Sequence, residues 1–328
     1  MADVARHAGV AKITVSRYLR EPGTVAPKTG QRIDKAIKAV GYIPNFVAGG
    51  LSSNRTRIVA AVMPTIRNPM LAGTLESIST VLNVGGYSLM LANCGGTLLD
   101  EELAVKALVA QRPAGIILHA VKHSEETVRM LKDLGIPTVE TGDLPSKPAL
   151  DLAVGYSNFG AARAMTDYLI ARGYSNIGFV SIPLELGNQV GERLRGYRAA
   201  LRAAGRAIKD DYVGVAPQTF SGGAKALADL LQSRPEIDAV FFAGDILAAG
   251  ALFECQRRGW AVPKRVAVAG FDNYDIAAQT VPTLSTIEVP RAEIGRLSAE
   301  LLLKRLKGEY IADTRVDVGF RIVERASA

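Results

Sequence analysis

Asp3-Val4-Ala5-Arg6-His7-Ala8-Gly9-Val10-Ala11-Lys12-Ile13-Thr14-Val15-Ser16-Arg17-Tyr18-Leu19 is the stretch on which the reading of this chain turns. Asp3 stands where a helix N-cap is expected, with Val4, Ala5 and Ala8 on one face and Gly9 as the stop. After Gly9-Val10-Ala11 a second helix is expected from about Lys12 to Leu19, burying Val15, Tyr18 and Leu19. A turn follows at Glu21-Pro22-Gly23. Pro27 then opens a third helix to Val40, with Ile33, Ala36, Ile37 and Val40 on its apolar face and Gly41 ending it. Two short helices joined by a tight glycine-containing turn and braced by a third make a helix-turn-helix. The second helix presents Lys12, Ile13, Ser16 and Arg17 away from the buried stripe.

Charge separates this segment from the rest. The formal net charge is +7, and residues 1–57 hold ten Lys and Arg against three Asp and Glu, so they carry all of it. Residues 58–328 hold 29 charges of each sign. A basic module on a neutral body points to a polyanion bound by one part of the chain. A basic solvated tail would show no hydrophobic periodicity, and this segment does. Cys94 and Cys255 cannot build a disulfide framework, and no C-x-x-C pair suggests a metal site. No apolar run approaches the ~20 residues that span a bilayer. The charged first twenty residues do not read as a secretory signal, so a cytoplasmic location is expected.

The quoted stretch, together with Gly41-Tyr42-Ile43-Pro44-Asn45, resembles the DNA-binding signature of the lactose-repressor (LacI/GalR) family. The resemblance implies a sequence-specific transcriptional regulator on operator DNA, with Lys12, Ile13, Thr14, Ser16, Arg17 and Asn45 at the DNA. Physical reasoning assigns them roles. Arg17 can bond guanine O6 and N7 together, and its alternative is a phosphate contact. Ile13 offers apolar contact, as to a thymine methyl. Thr14 and Ser16 suit phosphates, which position without specifying. His7 is expected to pack or to contact the DNA backbone.

Pro44-Asn45-Phe46-Val47-Ala48-Gly49-Gly50-Leu51 matches the family's hinge helix, which implies that Leu51 wedges into the minor groove and bends the duplex. Gly49 and Gly50 depart from the family pattern, each costing ~1 kcal/mol of helix stability relative to Ala. The hinge is therefore expected to order only on DNA. Only two residues precede Asp3, fewer than the family's usual lead-in, so either a backbone contact to DNA is missing or the start is misassigned.

Beyond Arg57 short apolar runs alternate with amphipathic stretches. Ile58–Met63, Tyr87–Ala92, Gly115–Leu118, Pro137–Val139, Asn176–Val180, Ala239–Phe242 and Val266–Ala269 read as buried parallel strands. Helical patterns lie between them, and a long final helix is expected from about Arg291 to Leu306. This alternation predicts doubly wound α/β sheets, and a break near Val154–Asn158 suggests two similar subdomains. The expected organisation is an all-α helix-turn-helix domain over 1–44, a hinge and linker over 45–57, and an effector-binding and dimerisation body over 58–328. Its subdomains are expected to cover roughly 58–156 plus 290–315, and 157–289 plus 316–328.

Ligands bind such sheets beyond the carboxyl ends of the strands. The residues there include Thr65-Ile66-Arg67-Asn68, Gly142-Asp143, Gly244-Asp245 and Phe271-Asp272-Asn273. The body resembles the family's sugar-sensing domain, itself similar to periplasmic sugar-binding proteins. That likeness implies effector roles for Arg193 and Asp272. Arg67, Asn68, Asp143 and Asp245 complete the expected set. Gly244 stands where the family usually has asparagine, and Ser157 where it usually has aspartate. Arg and Asp flanking a cleft suit a polyhydroxylated molecule. A closer likeness to gluconate-operon regulators, carried by Leu150–Phe159 and Ala251–Arg257, implies gluconate or a phosphogluconate. A neutral sugar or sugar phosphate comes next.

No catalytic constellation, cofactor motif or metal set emerges, and no enzyme is expected. Gly95-Gly96 and Gly222-Gly223 form no phosphate-binding pattern and read as turns. A solute-binding protein would explain the body but not residues 1–57. Within regulation, a repressor released by effector stands beside a corepressor-dependent repressor and an activator. With no heptad tail after the last strand, the expected assembly is a homodimer on a pseudo-palindromic operator.

Overall fold

The computed structural model describes residues 1–20, 22–42, 56–65, 69–144, 148–183 and 188–328. The chain divides into two units, Met1–Thr56 and Arg57–Ala328. Asn45, Leu51 and most of the hinge lie outside the described residues, as do Glu21, Arg67 and Asn68.

In the first unit, helices α1 (Ala2–Ala8), α2 (Lys12–Arg20) and α3 (Pro27–Val40) enclose a small core of Val4, Ala5, Ala8, Val15, Ile33 and Ala36. Helices this short are marginal alone, so the shared apolar face holds them. Gly9, at φ 59°, ends α1 in the left-handed conformation. Arg32 of α3 reaches back to α1, its Nη2 donating to Ala8 O at 2.6 Å and to Gly9 O at 3.3 Å. Tyr18 of α2 lies across Gly30, where a Cβ would come within 2.7 Å of its ring. Its hydroxyl donates to Asp34 at 2.7 Å.

Two expectations fail here. Asp3 is not the cap of α1, because Met1 takes that position and no side chain caps it. Asp3 already lies in the first turn, where its negative charge suits the helix end, and it pairs with Arg6 at 3.2 Å. Val40 is 39% exposed, because the last turn of α3 runs past a core that ends at Ala36 and Ile37.

In the second unit the apolar runs become strands, buried except at the expected Tyr87–Ala92 run, which forms an edge strand of exposed and half-buried residues because only one neighbour covers it. β1 (Ile58–Met63) pairs with β2 (Ser88–Asn93) on one side and β3 (Gly115–Leu118) on the other. β4 (Thr138–Thr141) and β5 (Leu152–Gly155) extend the sheet, and the far edge is β11 (Arg315–Asp317). All pairs are parallel, in the order β11-β5-β4-β3-β1-β2. Helices α4 (Pro69–Val84), α5 (Leu98–Val109) and α6 (Glu125–Asp133) connect these strands. They supply the long crossovers that parallel pairing requires.

A second parallel sheet runs β7-β6-β8-β9, from β6 (Ile177–Ser181), β7 (Val213–Val215), β8 (Ala239–Phe242) and β9 (Ala267–Ala269). It is accompanied by α7 (Asn158–Ala171), α8 (Asn188–Ala203), α9 (Phe220–Ser233), α10 (Asp245–Arg258) and α11 (Asp275–Gln279). β10 (Thr286–Glu288) and β12 (Arg321–Val323) form an antiparallel pair, and α12 (Arg291–Leu306) returns to pack on α4 and β3–β5. The chain thus passes between subdomains three times, after β5, after β10 and after β11.

The strand Leu152–Gly155 stands where only a break was expected, and the break follows it. β7 was also missed, a three-residue strand with one exposed end and little apolar signal. The expected subdomain boundary at 315 cuts β11, whose residues to Asp317 pair with β5 in the first sheet. Gly222-Gly223 is no turn but part of α9. A Cβ at Gly223 would collide with the backbone carbonyl of Leu247, so that glycine lets α9 and α10 meet backbone to backbone. Residue spacing cannot reveal such an approach.

Candidate functional site

The candidate nucleic-acid face lies on α2. Val15 faces the core, which leaves Lys12, Ile13 and Arg17 exposed on the opposite side, with Thr14 and Ser16 half-buried beside them. Ile13 is 68% exposed, an apolar side chain held out among polar ones. Of the basic residues nearby, Arg32 is committed to the α1 carbonyls and Arg6 to Asp3. His7 is exposed rather than packed, since α1 turns it away from Val4 and Ala8.

The second candidate site lies in the body, where the carboxyl ends of both sheets meet. Arg193, on α8, is buried at its centre. Its Nε donates to Asn158 Oδ1 at 2.8 Å, its Nη1 to Ala243 O at 2.6 Å and its Nη2 to the Tyr156 hydroxyl at 3.2 Å. The guanidinium carbon sits 3.6 Å from the centroid of the Phe271 ring. Tyr156 follows β5, Ala243 follows β8 and Phe271 follows β9, so three strand ends converge on one cation. The planar fork of arginine suits this arrangement and a lysine would not.

Asp272 faces it. Nη2 of Arg193 stands 3.8 Å from Asp272 Oδ1, and that oxygen has no hydrogen-bond partner among the described residues. Burial raises the Asp272 carboxyl above its usual range, against the opposing pull of Arg193 and a hydrogen bond from Tyr274. A buried acceptor left unmet is costly, so this oxygen is open to a further donor. Asp143 is placed differently. Its Oδ1 accepts from the backbone N–H groups of Leu144 at 3.0 Å and Asn158 at 3.2 Å, and burial raises its pKa. Asn158 Nδ2 donates in turn to Gly142 O at 3.0 Å.

His119, directly after β3, joins the two subdomains across the cleft. Its Nδ1 lies 3.1 Å from Thr141 Oγ1 and its Nε2 lies 3.3 Å from Gln189 Nε2 of α8. Burial, and then the nearby charge of Arg193, lower its pKa to about 4, so the ring is neutral. Gln189 is the donor to Nε2, which puts the ring proton on Nδ1 and toward Thr141. Thr141 Oγ1 donates in turn to Leu118 O at 3.4 Å.

Sequence comparison matches residues 1–45 to the model of bacterial regulatory proteins of the lacI family and residues 166–328 to a periplasmic binding protein-like domain. The HTH-type transcriptional regulator GntR of Escherichia coli K12 is 35% identical over 322 residues, covering 98% of this chain and 96% of GntR. The chain belongs to the LacI family. Among solved structures, a LacI-family transcriptional regulator from Silicibacter pomeroyi superposes with a TM-score of 0.91 at 31% identity, over 99% of this chain and 98% of that one. A CelR–cellobiose complex superposes with a TM-score of 0.73 at 31% identity, over 99% and 98%.

This LacI-family member is a DNA-binding transcriptional regulator with a sugar-sensing type of body. Of the residues expected at its effector cleft, Arg193, Asp272 and Asp143 come together through the Asn158–Tyr156 network. Asp245 does not join that network. Its Oδ2 accepts from Tyr274 N at 2.7 Å and its Oδ1 from Thr286 Oγ1 at 2.6 Å, so both oxygens are committed inside the protein. Burial, then the neighbouring Asp272 charge, push it up to about 8. His119, Gln189 and Tyr156 were missed. The rule that picked out Asp143 and Asp272, reading the residue beyond each strand, applies equally to His119 after Gly115–Leu118.

Proposed function

We propose that this LacI-family regulator is a cytoplasmic homodimeric repressor of sugar-acid utilisation genes. It binds a pseudo-palindromic operator and leaves it when gluconate or a phosphogluconate fills the cleft. The observation that carries this reading is the unmet Asp272 Oδ1 beside Arg193. A polyhydroxylated acid supplies both complements, a hydroxyl donating to Asp272 and oxygens accepting the N–H groups that Arg193 has left. The neutral His119 and Gln189 add polar contacts that do not repel an anion. The likeness to GntR over nearly the whole chain favours gluconate over a neutral sugar.

On the DNA side, Arg17 reads a base edge, Lys12 is long enough to reach one, Ile13 makes apolar contact, and Thr14 and Ser16 hold phosphates. Asn45 and Leu51, outside the described residues, belong to the DNA contact by the family's pattern. Because residues 1–57 carry the whole charge excess, added salt weakens operator binding through them. Effector release requires that gluconate bind one body conformation more tightly than the other. The body senses rather than catalyses. The test is operator titration at fixed salt with and without gluconate and 6-phosphogluconate. Release by one of them supports the proposal, tighter binding makes the protein corepressor-dependent, and no response to either refutes the effector class.

A further inference from the structure

We propose that Arg291 is a positioning residue that couples Asp272, in the second subdomain, to helix α4 of the first. The inference rests on reading the Arg193–Asp272 cleft as the effector site. Asp272 and Asn273 adopt φ angles of 109° and 50°, in the region L-residues with side chains rarely hold. Such a backbone persists only where its surroundings over-determine it. Asp245 and Arg291 do so from opposite sides, beside Arg325, whose Nη2 donates to Asn273 Oδ1 at 2.8 Å, and Ile287, whose carbonyl accepts from Asp272 N at 2.8 Å.

Asp245 holds the turn from within. Its N–H donates to Phe271 O at 2.9 Å and its carboxylate accepts from Tyr274 N at 2.7 Å, so both ends of the turn are pinned to one residue. Arg291 holds it from outside. Its Nη2 donates to the carbonyl oxygens of Asp272 and of Asn273, the second at 2.9 Å, and its guanidinium lies 4.9 Å from the Tyr274 ring centroid.

The backbone of Arg291 belongs to the other subdomain. It opens α12, and its carbonyl accepts from Thr74 Oγ1 of α4 at 3.4 Å. One turn later, a Cβ at Gly295 would collide with Thr74 O, so the two helix backbones touch with no side chain between them. Packed interfaces of this kind shift between discrete arrangements rather than deforming gradually. A ligand that draws on Asp272 moves the carbonyls to which Arg291 is bound, and through α12 it moves α4. Two carbonyls held by one guanidinium nitrogen make Arg291 the link between ligand turn and helix pair.

The test uses the full-length protein with Arg291→Gln and Arg291→Lys, and with Arg296→Gln as a control on the same helix. Three quantities are read: gluconate affinity by calorimetry, the ratio of operator Kd with and without gluconate, and amide exchange of the ligand-free protein. Coupling between sites is typically 5–150-fold. Arg291→Gln is expected to bring that ratio close to one while gluconate affinity changes by less than about tenfold, with Arg291→Lys intermediate and Arg296→Gln unchanged. Exchange is expected to rise together in the 271–274 turn and in residues 71–78. A wild-type ratio in Arg291→Gln, or exchange that rises in the turn alone, overturns the coupling. Should wild-type protein fail to bind gluconate, the effector reading falls separately, and the joint or confined change in exchange still decides the role of Arg291.

Discussion

Arg193 Nη2 and Asp272 Oδ1 stand 3.8 Å apart, close enough to attract and too far to hydrogen-bond. The arginine is held by three acceptors that follow two strand ends, Tyr156 and Asn158 after β5 and Ala243 after β8, whereas the aspartate oxygen has none among the described residues. That inequality leaves Asp272 with an unmet acceptor beside a cation already tied to the protein. Arg193 arranges the floor of the cleft, and Asp272 waits for a donor.

Replacing Arg193 with Ala therefore removes effector response and also leaves Asp272 buried without its counter-charge. Breaking one side of a buried pair costs about 3–5 kcal/mol. Urea denaturation should show a loss of that order, with operator binding retained below the transition. Adding gluconate should then leave operator affinity unchanged. A variant that still responds to effector would show that the cleft lies elsewhere.

Arg17→Ala should relax base preference at one operator position and cost about 1–3 kcal/mol of binding. Selection from a randomised operator library reads this directly. If Arg17 only touched phosphate, affinity would fall equally for all sequences and the salt slope would drop by about one.

His123 lies between two buried carboxylates, its Nδ1 2.8 Å from Glu101 and its Nε2 3.3 Å from Glu140. Burial alone would lower its pKa, but the hydrogen bonds to Glu101 and Glu140 and their charges raise it to about 9. A histidine raised in the folded state contributes stability that is fully present below the unfolded value near 6.5. That stability is lost as pH climbs from about 6.5 to 9. The size is about 3 kcal/mol. His123→Gln should be the less stable protein at pH 6 and should close most of the gap by pH 9.5, as measured by urea midpoints.

His119 titrates with the opposite sign. Its pKa is lowered to about 4, so the unfolded chain binds the proton first and stability falls as pH drops from about 6.5 to 4. His119→Gln should flatten the acid limb of the stability profile by about 3 kcal/mol and leave the alkaline limb alone. An acid limb as steep as that of the parent protein would mean that this ring is not buried neutral.

Gly223→Ala places a methyl group against the carbonyl of Leu247 at the α9–α10 contact. Overpacking of this kind costs typically about 1–3 kcal/mol. The denaturation midpoint should fall accordingly. An unchanged midpoint would mean that the two helices separate freely.

Local signals carried much of this protein. The bounds of α3 and α12 were legible because Pro27, Gly41 and an uninterrupted apolar spacing mark them within the segment itself. The strand Ile58–Met63 was legible because a strand buried on both faces is a continuous apolar run. β7 and the packing role of Gly223 were not, since one has three residues of weak pattern and the other depends on a helix 24 positions away.

The sequence by itself determined the helix-turn-helix, the location of the charge excess in residues 1–57, and the alternation that builds two parallel sheets. Each is a property of neighbouring residues, readable from spacing of 2 or 3.6 and from local charge. Only the tertiary structure decided which carboxylate keeps an unmet oxygen beside Arg193. Asp245 and Asp272 both follow a buried strand and look alike in sequence. Asp245 is drawn inward because Thr286 and the Tyr274 N–H, far along the chain, satisfy its oxygens, while Asp272 keeps one oxygen unmet opposite Arg193. The direction of a side chain at a strand end is set by such distant partners, and no local pattern contains them.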